Sequence, residues 1–144
     1  MVDITGKKLI FREAEAEGRI FLKKETIEKI KSGKVEKGDP LTIAKIAAIQ
    51  AVKKTSEIIP LCHPIKITNV DVNHLISENC LTLFVKVKAL EQTGVEMEAL
   101  TGVLVGLLTI WDVVKKYEKD ERGQYPLTRI SDVKVTYKKK IEGS

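Results

Sequence analysis

The segment from Ala99 to Ile110 contains no charged side chain, and this is the strongest constraint that the sequence places on the fold. Apolar residues recur at helical spacing through it and beyond it, at Leu100, Val103, Leu104, Leu107, Trp111 and Val114. This spacing predicts a long helix whose apolar stripe packs on a sheet. The preceding Thr93-Gly94-Val95-Glu96 reads as a capping box, which predicts that Thr93 caps the helix. We expect the helix to end near Tyr117.

The opposite face of this predicted helix carries small or uncharged residues, namely Gly102, Val105, Gly106 and Thr109. Each interior glycine costs ~1 kcal/mol against alanine, so a second helix is expected to pack closely on this face. That second helix could come from another subunit or could be another helix of the same chain. The sequence leaves both alternatives open.

Glu98 and Asp112 also share a face of this helix, and they are about 21 Å apart along its axis at ~1.5 Å per residue. They cannot serve one small substrate from one chain. A twofold pair of antiparallel helices would bring Glu98 of one chain towards Asp112 of its partner. The spacing therefore predicts sites shared between two copies.

The composition is typical of a soluble globular protein. The chain has 144 residues, of which 43% are hydrophobic and 31% are charged, so we expect one domain over residues 1–144. No apolar run reaches the ~18–20 residues of a membrane span, and no basic-then-apolar leader is present. Cys62 and Cys80 alone make no disulfide framework. We therefore expect a cytoplasmic protein with no membrane partner.

The remaining segments alternate between strand and helix patterns. Strands are predicted over 8–23, 66–75, 81–90 and 127–137, with Gly18 as a turn or bulge in the first and a hairpin joining the middle two. Helices are predicted over 25–31 and from Pro40 onward, the second capped by Asp39 and stopping before Ile59-Pro60. We expect its packed positions to include Ile43, Ile46, Ala47 and Gln50. The order predicts an α+β fold, most simply a ferredoxin-like antiparallel sheet with helices on one face.

Three charged residues are candidates for chemistry. Asp112 and Lys115 are neighbours on the helix surface, and they could be a solvated ion pair or a general acid/base pair that also holds phosphate. Lys37 precedes Gly38-Asp39 at a helix N-terminus, where anions are attracted by free N–H groups. The Lys37 segment alone is weak evidence for a phosphate-binding site, because no full P-loop motif is present.

Cys62 and His63 lie in a turn between two prolines, a place where function concentrates. Adjacent Cys and His cannot easily chelate one ion, and neither His74 nor Cys80 completes a zinc pattern, so we expect no metal site. A Cys62–His63 nucleophile pair is not expected either, since sequence neighbours rarely face each other. For His63, a binding role and a structural role both stay open.

The net charge of +5 suggests an anionic partner. Nucleic acid is not expected, because aromatic residues are only 5% of the chain, arginines number four, and no RNA- or DNA-binding motif is present. A phosphorylated small molecule fits the lysine surplus better.

Several of these segments together resemble one family, the cyclic pyranopterin monophosphate synthases, or molybdenum cofactor biosynthesis protein C family. The resemblance rests above all on IPLCHP at 59–64 and GVEMEALTGV at 94–103, and it extends to Met1–Ile4, Arg12–Ala14, Lys37–Asp39, the helix ending AAIQAVKKT and Thr109–Asp112 with Lys115. It covers nearly the whole chain. The resemblance implies the ferredoxin-like fold, a hexamer built as a trimer of dimers, and active sites at a dimer interface.

The resemblance also implies a reaction and its residues. The substrate would be the cyclised dihydro-GTP (3',8-cyclo-7,8-dihydro-GTP), rearranged to cyclic pyranopterin monophosphate with release of pyrophosphate, with no cofactor. Asp112 corresponds to the family's active-site acid, and Lys37 and Lys115 resemble its catalytic lysines. The implied substrate-binding residues are Leu61, Cys62, His63, Met97, Glu98, Lys53, Arg12 and Lys138. Family members commonly continue with Gly-Gly-Lys-Ser-Gly where this chain has residues 139–144, which puts a flexible glycine loop over the site in doubt.

The expected function is therefore a lyase of molybdenum cofactor biosynthesis. The alternative is a non-catalytic nucleotide- or phosphate-binding domain of the same fold.

Overall fold

The computed structural model describes residues 1–141. The departure from the family pattern at residues 142–144 lies outside the described residues. In chain order the elements are β1 (Ile10–Phe21), α1 (Lys24–Ser32), α2 (Pro40–Lys53), α3 (Thr55–Ile58), β2 (Ile67–Ile76), β3 (Cys80–Glu91), α4 (Glu96–Glu118) and β4 (Arg129–Ile141).

The four strands form one antiparallel sheet in the order β2-β3-β1-β4. The predicted hairpin between β2 and β3 is confirmed, and Ser77 N–H donates to the Cys80 carbonyl at 2.8 Å in its turn. Helices α2 and α4 pack against each other and cover one face of the sheet. The predicted ferredoxin-like α+β architecture is thus confirmed.

The contact between α2 and α4 settles which helix covers the glycine face of α4. A Cβ built at Gly106 would lie 2.4 Å from Leu83 Cδ2 and 3.5 Å from Ala48 Cβ, and one at Gly102 would lie 2.9 Å from Val52 Cγ2. The chain's own α2 therefore packs there, and the two helices run antiparallel. Glycine is required on α4 because a side chain would collide with Val52 of α2 at position 102 and with Leu83 of β3 at position 106.

The packed face of α2 differs from the prediction. Its buried residues are Pro40, Ala44, Ala48, Ala51 and Val52, whereas Ile46 is 54% exposed and Gln50 is also exposed. The alanines of α2 face α4 because only small side chains fit where α2 approaches Gly102 and Gly106. Hydrophobicity alone pointed to the larger isoleucines.

The predicted sheet-facing stripe of α4 is also partly wrong. Val103, Leu107 and Val114 are buried, but Leu104 is 46% exposed, and Leu108 beside it is 60% exposed. Since α4 is contacted by the sheet on one side and by α2 on another, its third side stays open. That side carries an apolar surface defined by Met97, Leu104, Leu108 and Trp111, here called the outer stripe.

Two local predictions are corrected. Gly18 makes no turn, because β1 is continuous, but the predicted irregularity is present: one register shift between β1 and β4 falls between Glu17 and Arg19, opposite Asp132, whose φ is 55°. A Cβ at Gly18 would lie 2.7 Å from Val103 Cγ1, so the lack of a side chain at Gly18 lets α4 pack closely on the sheet.

The predicted capping box at Thr93 is wrong as well. Helix α4 begins at Glu96, with Val95 at the N-cap position and no side-chain capping hydrogen bond. The Glu96 carboxylate folds over Gly94 and pairs with Lys138 at 3.2 Å. It is therefore not available to complete a capping box.

The C-terminal end of α4 is fixed by a fully buried carboxylate, that of Glu118. It accepts hydrogen bonds from Lys23 N–H, from the Thr26 hydroxyl and from the Thr128 hydroxyl, the last at 2.7 Å. These contacts join the end of α4 to the start of α1 and to the segment before β4. By length and composition α4 could span a membrane, but 56% of its most apolar window is buried in this fold, where it acts as a core helix.

We expect Gly102→Val to lower the free energy of unfolding by about 1–3 kcal/mol, the usual cost of overpacking, despite valine's better helix propensity. The added side chain would meet Val52 and Val85, both stiff at χ1. Equilibrium unfolding in urea measures the change. Gly6→Val is the control, because a Cβ there meets nothing within 4 Å. Equal stability of the two variants would contradict this packing account.

Candidate active site

Three predicted catalytic residues meet near the C-terminal half of α4, and we call them the lysine cluster: Lys37, Asp112 and Lys115. Lys115 Nζ lies 3.1 Å from Asp112 Oδ1, and Lys37 Nζ lies 3.8 Å from Asp112 Oδ2. Lys37 also donates to the Asp112 backbone carbonyl at 3.4 Å. The adjacent ammonium groups, Lys115 first and Lys37 next, lower the pKa of Asp112. This carboxylate is therefore ionised at neutral pH.

The lysine cluster is assembled from two elements. Asp112 and Lys115 are one turn apart on α4, and Lys37 lies on the loop between α1 and α2. The Asp39 side chain accepts from Leu41 N–H at 3.1 Å, as the sequence predicted, and this cap fixes where α2 begins. The antiparallel packing of α2 on α4 then brings the loop against Asp112.

A cavity of about 250 Å³ adjoins the lysine cluster and is lined by Leu108, Trp111, Asp112 and Lys115. Trp111 is only partly buried and meets Tyr125 edge to face, with ring centroids 5.1 Å apart. Sequence reasoning assigned Trp111 to the core stripe and missed it as a site residue. Its position directly before Asp112 was the signal that could have found it.

A second group lies at the N-terminal end of α4, and we call it the carboxylate cluster: Cys62, Glu96 and Glu98. Glu98 is only 2% exposed, and its Oε2 accepts from Cys62 Sγ at 3.7 Å. Glu98 Oε1 and Glu96 Oε2 are buried without a hydrogen-bond partner within residues 1–141. Burial raises the pKa of Glu98, and burial together with Glu98 raises the pKa of the Cys62 thiol. Glu96 was not predicted as a site residue.

Two predicted cations lie at this same end of α4. Lys138 pairs with Glu96 at 3.2 Å, and Arg12 donates to the backbone carbonyls of Glu91 and Gln92 at 3.0 and 3.3 Å. Arg12 thereby holds the end of β3 from which the chain enters α4.

His63 contacts the first residues of the chain. Its Nε2 lies 2.7 Å from the Val2 carbonyl, and a cavity of about 560 Å³ here is lined by Met1, Val2, Asp3, Ile4, Thr5, His63 and Gln92. In this structure the ring nitrogen is used to hold the N-terminal segment.

The remaining predicted substrate-binding residues are on the surface towards the carboxylate cluster. Leu61 is 67% exposed beside Cys62, and Met97 lies beside Glu98. Lys53 is exposed at the C-terminal end of α2, directly after Val52, which packs on Gly102 near the start of α4.

One chain therefore does not bring the predicted residues into one cavity. The lysine cluster and the carboxylate cluster lie at opposite ends of α4, about 21 Å apart by the rise of the helix. Within residues 1–141, no group of three or more His, Cys, Asp or Glu side chains is arranged to hold a metal ion. The expectation of no metal site stays a prediction.

Comparison with known proteins identifies relatives over the full length. The model of the MoaC family matches residues 1–141. A protein of Thermococcus kodakarensis is 56% identical over 142 residues, which are 99% of this chain and 91% of the relative. One from Sulfurisphaera tokodaii is 59% identical over 138 residues, which are 96% of this chain and 91% of the relative. One from Pyrococcus horikoshii is 56% identical over 144 residues, which are 100% of this chain and 91% of the relative. Each is named a probable cyclic pyranopterin monophosphate synthase.

We expect Glu98→Gln to stabilise the protein at about pH 8. Burial raises the pKa of Glu98 in the folded protein above its ordinary value of 4.5. The side chain therefore contributes most to the free energy of unfolding below about pH 4.5, where it is protonated in both states. Its contribution is lost as the pH rises through the raised pKa, where the buried carboxylate ionises. The melting temperature of the variant should therefore exceed that of the wild type at pH 8, with the difference shrinking towards pH 4.

The exposed Glu121→Gln variant controls for the change in net charge. If Glu98→Gln destabilised the protein equally at pH 8 and pH 4, ionisation of the buried Glu98 carboxylate would not be what destabilises the wild type at pH 8.

Proposed function

This chain belongs to the MoaC family, and from that premise we propose that it catalyses the cyclic pyranopterin monophosphate synthase reaction. In this reaction the cyclised dihydro-GTP (3',8-cyclo-7,8-dihydro-GTP) is rearranged to cyclic pyranopterin monophosphate, and pyrophosphate is released, so the enzyme is a lyase of molybdenum cofactor biosynthesis. The observation that carries the proposal is the meeting of Lys37 and Lys115 on Asp112 in a chain that matches the family over residues 1–141.

The lysine cluster supplies what the phosphate chemistry needs. A ring hydroxyl forms a bond to the first phosphorus while the bond from that phosphorus to pyrophosphate breaks, so negative charge grows on the leaving group. Ammonium groups fixed beside that charge stabilise it. Lys37 and Lys115 are half-exposed, which lets them reach a bound polyphosphate. Asp112 orients both, and the cluster also moves protons during ring opening and closure.

The carboxylate cluster supports recognition of the base-derived ring. Glu98 Oε1 and Glu96 Oε2 are buried acceptors without partners among residues 1–141, and a buried unpaired acceptor costs about 1–3 kcal/mol. A guanine-derived ring carries N–H and amino donors on one edge, and these would satisfy both oxygens. Cys62 and Glu98 thus belong to substrate binding in this proposal, with Met97, Leu61 and His63 beside them.

A second copy would join the two clusters. The outer stripe leaves Met97, Leu104 and Leu108 exposed at 42%, 46% and 60% along one side of α4. Val105 lies midway between Glu98 and Asp112 in the sequence. A twofold axis near Val105 would bury the outer stripe and place Glu98 of one copy opposite Asp112 of the other. Each site would then hold an acceptor-rich end and a cation-rich end from different copies.

The wider assignments follow from the family. We assign assembly as a hexamer, a trimer of such dimers, in the cytoplasm, with a GTP-derived small molecule as substrate. Nucleic acid, membrane and a cofactor have no part in the proposal. A non-catalytic nucleotide-binding domain is the competing function, and turnover decides between the two.

Lys37→Ala and Lys115→Ala are each expected to lower turnover of supplied substrate by about 10²–10⁴-fold, the usual contribution of general acid–base catalysis. Lys34→Ala, in the same loop, and Lys119→Ala, one turn after Lys115, are matched controls that should keep wild-type rates. Full turnover by either cluster variant would refute its catalytic assignment. A wild-type protein that binds substrate without turning it over would favour the non-catalytic alternative.

Subunit complementation tests the shared site. Glu98→Ala and Lys115→Ala should each be inactive alone, whereas their mixed oligomers should regain about a quarter of wild-type activity by random pairing, because one site in each mixed dimer is intact. Lys37→Ala mixed with Lys115→Ala is the matched control and should regain nothing, since both residues come from one copy. Recovery in the control alone, or in neither mixture, would contradict the shared site.

A further inference from the structure

The loop that carries Lys37 is bounded by two glycines with positive φ, Gly33 at 68° and Gly38 at 130°. Side chains rarely adopt this left-handed region, and glycine adopts it without strain. The four residues between these glycines belong to neither α1 nor α2. Contacts outside the loop must therefore set where Lys37 points.

Three residues of the loop make such contacts. Val35 is 7% exposed and enters the hydrophobic core. Glu36 N–H donates to the Tyr117 hydroxyl at 2.9 Å, and the Glu36 carboxylate pairs with Lys116. Lys37 then contacts Asp112. The Tyr117 contact joins the peptide between Val35 and Glu36, one residue before Lys37, to α4.

Tyr117 is itself well placed to act as an anchor. It lies on α4, the helix that also carries Asp112 and Lys115, so one rigid element holds the acid and the hydroxyl together. Its ring is partly buried and packs beside the core, with Lys29 Nζ 5.1 Å from the ring centroid. The Glu36–Lys116 pair is exposed at both ends, at 70% and 57%, and exposed ion pairs hold geometry weakly.

We propose that Tyr117 is a positioning residue, whose hydroxyl holds the loop so that Lys37 stays against Asp112. This inference rests on the proposed function, in which Lys37 acts on substrate. Tyr117 does not touch the substrate in this account, and it acts only through Lys37. A shift of about 1 Å in a catalytic group can cost ~10²-fold in rate, so loss of the anchor should be visible in turnover.

The test is Tyr117→Phe, which keeps the ring and removes the acceptor for Glu36 N–H. We expect kcat/KM to fall by about tenfold, and hydrogen exchange of the Glu36 amide to become faster. In the Lys37→Ala background the same substitution should have no further effect on kcat/KM, because the group that it positions is gone. Tyr125→Phe is the matched control, since its hydroxyl makes no hydrogen bond within the described residues, and it should leave kcat/KM unchanged.

The outcomes separate the inference from the proposed function. If Lys37→Ala loses activity while Tyr117→Phe retains it, the positioning role is overturned and the proposed function stands. If Tyr117→Phe costs the same in both backgrounds, Tyr117 acts by some route other than Lys37, and the inference fails. Full turnover by Lys37→Ala overturns the catalytic assignment of Lys37 and, with it, the positioning role of Tyr117, whereas the synthase activity itself stands.

Discussion

The close contact of α2 with α4 is the constraint on which the rest of the structure depends. Ala44 and Ala48 on α2 lie against Gly102 and Gly106 on α4, and a side chain at these glycines would collide with Val52 of α2 and Leu83 of β3. Because the helices run antiparallel, this contact fixes both ends of α2 at once. Its beginning brings Lys37 to Asp112, and its end delivers the Cys62 loop to Glu98. The small residues thus decide where the chemistry lies although they take no part in it.

The two ends of α4 differ in their physical character, and the difference suits a substrate with two different parts. The lysine cluster is half-exposed, cationic and internally paired. The carboxylate cluster places the buried Glu98 beside the partly buried Cys62 and Glu96, and two of its oxygens are buried without donors in the described part of the chain. Unpaired buried acceptors oppose folding, so their presence indicates that stability is given up for binding. One chain separates the ends by the length of a helix, which is why the proposed site needs a second copy.

Much of the fold could be predicted from local chemistry. The Asp39 cap and the β2–β3 hairpin are signals that a short segment carries by itself. The packed faces of α2 and α4 could not be read in the same way. Ile46 and Leu104 are more hydrophobic than Ala48 and Gly102, yet they are exposed, because the distance between two helices depends on both partners. Thr93 failed as a cap because Glu96 pairs with Lys138, a residue far away in the sequence.

The candidate site was predictable to a similar extent. The spacing in the sequence predicted that Glu98 and Asp112 are too far apart to act together in one chain. The resemblance to the family assigned the catalytic and substrate-binding residues. Glu96, Trp111 and Tyr117 were missed, because their importance comes from contacts that only the folded chain creates. The most direct test of the shared site is a crystal structure with a purine triphosphate analogue bound. We expect one ligand contacted by Glu98 of one copy and by Lys37 and Lys115 of another. A ligand held wholly by one copy would contradict the shared site.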